Sequence, residues 1–163
     1  EFRRVLFRSF LHMLGNPVAV IDSTGSTSMT RSLNLSYPLG ILDVQRTLAV
    51  CAEDGVAAVI IAMNNATLQR EALESVNVDV LGSERVAQGE DVASLKTRYA
   101  FVSDRALALT VPTGESDELA AESPAMFDQD RLGHMSLAVA LVLAAGVRRN
   151  NVRSALRVAN NLR

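Results

Sequence analysis

Tryptophan is absent, and five Phe and two Tyr supply all the aromatic residues of the 163-residue chain. The core must therefore be built from Leu, Val, Ala and Ile, and a surface that stacks nucleic-acid bases is not expected. Cysteine occurs once, at Cys51, so neither an intrachain disulfide nor a cysteine metal cluster can form. Histidine is confined to His12 and His134, and lysine to Lys96. Long apolar runs are missing too. The longest, residues 137–147, has 11 residues, where a membrane helix needs about 20. No signal-peptide pattern is present, so the expectation is a cytoplasmic chain with no membrane partner. The net charge of −2 leaves no general basic surface for a nucleic acid.

What is there reads as globular. Apolar residues make up 48% and charged residues 21%. The length suits one domain with a real core. The opening nine residues, EFRRVLFRS, look like translated adapter sequence and are expected to be foreign to the fold. On that reading residues 10–163 form a single domain and the chain is a fragment.

The most informative stretch is PVAVIDSTGSTSMT, starting at Pro17. Val18, Ala19, Val20 and Ile21 read as a buried strand. The Ser/Thr/Gly loop over residues 22–28 follows, and residues 29–35 are expected to open a helix. A loop of small residues between a strand and a helix is where α/β proteins hold phosphate, because free N–H groups and the helix dipole favour an anion. Ser23, Thr24, Gly25, Ser26, Thr27 and Ser28 are therefore the candidate phosphate-binding residues. The competing reading is a capped turn, in which the same residue types satisfy the local N–H groups themselves. A P-loop lysine is missing.

Further along, residues 36–40 (SYPLG) read as a break. Asp43 is the expected N-cap of a helix carrying Val44, Leu48, Ala49 and Ala52 and ending at Gly55. Residues 56–62 are continuously apolar, as in a parallel strand covered on both faces. A polar turn and helix are expected over 64–75, a third strand over 76–81, a loop over 82–89, a helix over 90–102 and a fourth strand over 106–111. Residues 115–130 read as an acidic loop with a short helix, and 131–145 as a long apolar helix closed by Gly146. Asn150 or Asn151 caps a last helix reaching about residue 161. Strands alternating with helices predict an α/β fold, three-layer αβα with a mainly parallel sheet.

The remaining constellations are weak. His134 at the start of an apolar helix reads as a capping or partly buried histidine, and neither His12 nor His134 has the partners of a catalytic triad. Asp117, Glu118, Glu122, Asp128 and Asp130 read as a solvated acidic stretch. Arg149, Arg153 and Arg157 share a helix face and read as solvated charge.

Taken in order, these elements resemble the central ATP-binding domain of the Mur ligases, which join amino acids to the muramyl peptide at the expense of ATP. The family's loop runs T-G-T-N-G-K-[ST]-[ST]-T. Aligned without a gap, its phosphate-binding Lys falls on Thr27 and its magnesium-binding hydroxyl on Ser28. With a one-residue gap they fall on Ser26 and Thr27. Asp43-Val44-Gln45 matches the family's D-V-Q. In AVIIAMNNATLQ, starting at Ala58, the family's magnesium-binding Glu falls on Ala62, its Ser pair on Asn64 and Asn65, and its His on Ala66. Lys96 falls on the lysine that the family carbamylates to support magnesium, which makes it the candidate catalytic residue. Arg131 and His134 occupy the Asn positions of the helix that touches adenine.

The resemblance implies ATP and Mg²⁺ as cofactors and an ATP-dependent acid–amino acid ligase as the ancestral activity. The departures imply impairment. Phosphoryl transfer relies on Lys and Mg²⁺ to offset charge, and losing one such stabiliser costs on the order of 10²–10³ in rate. Three readings therefore stand: a degenerate ligase-like domain retaining at most weak nucleotide or phosphate binding, an active ligase fragment, and a non-catalytic protein-interaction or regulatory module. The implied partners are a nucleotide or a second protein.

Overall fold

The computed structural model describes residues 17–82, 91–122, 129–146 and 148–152, with residues 129–135 described by backbone only. The chain is mixed α/β and falls into two compact units. One comprises residues 16–78 and 93–104; the other is built from 79–92 and the residues from 105 onward.

The first unit begins with β1 (Val18–Ile21), all four of whose residues are buried. Two short strands follow, β2 (Ser26–Ser28) and β3 (Arg31–Leu33). Helix α1 (Ile41–Glu53) then returns the chain to β4 (Ala58–Ile61). The sheet order is β3-β2-β1-β4. β4 lies parallel to β1, with Val18 opposite Ala58 and Ile21 opposite Ile61. β2 lies antiparallel on the other side of β1, and β3 antiparallel beyond it. The helix expected over residues 29–35 is not formed. Residues 26–33 are instead a hairpin, whose Met29–Thr30 corner brings Met29 to φ 55°.

Helix α1 supplies Val44, Thr47 and Cys51 to the buried side. Asp43 does not cap it. The N-cap is Gly40, and Asp43 sits one turn inside, its Oδ2 accepting the Gly40 N–H at 3.1 Å. The break at residues 36–40 is present and includes a cis Tyr37–Pro38 bond. The helix closes at Gly55 as expected. Gly55 takes φ 79°, its N–H donates to the Ala52 carbonyl and that of Val56 to the Cys51 carbonyl. That pairing is a Schellman motif, which a left-handed glycine makes possible.

Residues 64–75 form successive turns, not a helix. Glu71 and Ser75 both take positive φ, 62° and 63°, which no α-helix accommodates. The turns are held by α2 (Val92–Tyr99) and its exit: Glu71 and Leu73 donate to the carbonyls of Arg98 and Tyr99. Around Asn77 the expected third strand is reduced to one parallel bridge with Val102. The buried apolar residues of this unit are those of β1 with Leu39, Val44, Cys51, Leu68, Ala72, Leu73, Tyr99 and Phe101, joined by buried Ser26, Ser28, Thr47 and Thr67.

The second unit contains two-residue parallel strands, β5 (Leu81–Gly82) and β6 (Leu109–Thr110). β6 lies within the expected fourth strand, whereas β5 meets the expected third strand only at Leu81, its Gly82 falling in the expected loop. Helix α3 (Gly114–Ala121) packs on α4 (Gln129–Ala144). Thr113 caps α3, its Oγ1 accepting the Ser116 N–H at 3.1 Å. Between the two helices, buried Ser116 and Ser136 share a 2.7 Å hydrogen bond, and Ser136 donates to Asp117 Oδ1 at 2.5 Å. Val139 and Val142 on α4 are also buried. Helical backbone resumes at 149–152, with Arg148 and not Asn150 or Asn151 receiving the first turn's N–H groups. The readings for residues 1–16, 83–89 and 153–161 fall outside the described residues, as do Asp128, Arg153 and Arg157.

Candidate functional site

Strand β1 delivers Asp22 at its C-terminal end, where a parallel strand's carboxyl edge places ligand-binding groups in many α/β proteins. Asp22 turns the chain. Its carbonyl accepts the Gly25 N–H at 3.0 Å, and its Oδ1 accepts the Thr24 N–H at 2.9 Å and the Thr24 hydroxyl at 3.1 Å. Aspartate is favoured there because its short side chain bonds the backbone two residues on. Gly25 completes the turn at φ 148°, which L side chains rarely adopt. The remaining two N–H groups are also engaged: Asp22 donates to Ser26 Oγ at 3.1 Å, and Ser23 to Thr67 Oγ1 at 3.1 Å. Every N–H from Asp22 to Gly25 thus points at a partner within its own unit.

Ser26, Thr27 and Ser28 lie in β2, not in a loop. Thr27 stands opposite Val20 on one side and Ser32 on the other. Ser26 and Ser28 are buried. Ser26 Oγ sits between the Tyr37 hydroxyl and the Asp22 carbonyl. Ser28 Oγ donates to Asp54 Oδ2 at 2.6 Å, and Arg31 Nη2 donates to the same oxygen at 2.6 Å. The Ser28 hydrogen bond, followed by that of Arg31, holds the Asp54 carboxyl below its ordinary range. Beside them Cys51 is buried, and burial pushes its thiol up, which keeps it out of the reactive thiolate form.

The other candidates belong to other elements. Lys96 is exposed in the last turn of α2. No hydrogen bond or ion pair among the described residues links its ammonium to residues 22–28. Arg131 and His134 fall in α4, within its backbone-only part and in the other unit. At the end of β4, the Ala62 N–H donates to the Ile21 carbonyl at 3.0 Å. Asn64 Oδ1 accepts the Thr67 N–H at 2.9 Å, and Asn65 Oδ1 accepts the Tyr99 hydroxyl at 3.5 Å. Among the described residues, no group of three or more His, Cys, Asp or Glu is placed to hold a metal ion, and no helix is long and apolar enough to cross a membrane.

Thr67, Tyr37, Asp54 and Arg31 are the partners that sequence reasoning missed. Thr67 lies 44 positions from Ser23, and Asp54 lies 26 from Ser28. No local pattern announces such pairs. No family model, curated protein or solved structure matches the chain.

Proposed function

We propose that this chain is a degenerate Mur ligase-like domain without ligase activity, and that residues 22–28 form a structural turn and strand in place of a nucleotide site. The observation that carries this reading is that all four N–H groups from Asp22 to Gly25 already have partners within the chain. A phosphate cradle needs those donors free and the positive end of a helix behind them. Here a hairpin follows instead. The nearest cation in sequence, Arg31, is already bonded to Asp54. A side-chain hydroxyl at Thr27, or at Ser26 in the gapped alignment, supplies no positive charge to replace the family's lysine.

The ligase-like ancestry is supported by the parallel β1–α1–β4 unit, by Asp43-Val44-Gln45 in the first turns of α1, and by the second parallel pair, β5 with β6. On this proposal the sheet is the remnant of a three-layer αβα arrangement with a mainly parallel sheet. ATP and Mg²⁺ are then ligands of the ancestral site and not of this chain.

A thermal-shift titration with Mg-ATP tests the reading. One-site binding at 100 times Kd adds about 2.7 kcal/mol of apparent stability. The proposal expects no rise in Tm. A saturable rise that Thr27→Glu abolishes would overturn it.

A further inference from the structure

We draw no further inference here: the strongest candidate, the outer edge of β4 with its partly exposed Ala58, Val59, Ile60 and Ile61, is an apolar strand edge for which nothing in the structure shows what covers it.

Discussion

Asp54 shows how much one side chain does in this fold. It stands at the C-cap of α1, where the helix dipole disfavours a carboxylate. Ser28 and Arg31 offset that by donating to one of its oxygens. Its depressed pKa in the folded state fixes the sign of the pH dependence. The contribution is present above the unfolded value, near 3.8, and is lost as pH falls through the lower folded value. Urea titrations of wild type and Asp54→Asn should therefore differ at pH 7 and converge as pH drops below about 4. A gap that widens with acid would contradict the assignment. Ala100 gives a simpler test. It follows α2 at φ 61° and its N–H bonds the Lys96 carbonyl, so it ends the helix in a left-handed conformation. Ala100→Gly should stabilise by about 0.5–1 kcal/mol in urea melts, because glycine reaches that region without penalty. A loss of stability would show that the Ala100 methyl packs in a way this reading ignores.

Elements form where local pattern and long-range pairing agree. β1 was legible because four apolar residues end at a turn, and α1 because apolar residues recur at helical spacing and Gly55 stops it, although of Val44, Leu48, Ala49 and Ala52 only Val44 is buried and Thr47 and Cys51 complete the buried face. β4 and α4 follow from apolar runs of the right length. The hairpin was not legible. Residues 26–33 alternate Ser, Thr, Met and Arg without a strong period, and only pairing with β1 selects extended backbone. The turns over 64–75 were hidden for a related reason: hydrogen bonds to α2 and its exit, distant in sequence, hold Glu71 and Leu73 out of a helix. Contacts between elements give two further tests. A Cβ on Gly82 of β5 would lie 2.3 Å from Leu141 Cδ2 of α4. Gly82→Ala should cost about 1–3 kcal/mol by overpacking, and Leu141→Ala should recover part of it in a double-mutant cycle. Additive losses would place the damage elsewhere. Ser136→Ala removes the hydroxyl that joins α4 to Ser116 and Asp117, and should cost about 1 kcal/mol. An unchanged denaturation midpoint would mean that this bond adds nothing net.

Within each unit, the residues singled out for chemistry serve the fold or stand exposed. Lys96 is exposed on α2 and Ser28 is bound to Asp54, and on the proposed Mur ligase-like ancestry the family's carboxylate and histidine positions would hold Ala62 and Ala66. The mixed α/β character was legible in the order of elements, whereas the fate of the Ser/Thr/Gly segment was not. The same residues can cradle an anion or satisfy each other, and the choice rests on Thr67 and Tyr37 from elsewhere in the chain. The N–H groups of residues 22–25 all have partners within the chain. Amide resonances of Ser23, Thr24 and Gly25, followed by NMR during a Mg-ATP titration, show whether they also meet an anion. These peaks are expected to stay in place to saturating nucleotide, while Thr67→Val moves the Ser23 peak. Saturable movement of all three with Mg-ATP would contradict that expectation and make the segment a nucleotide site.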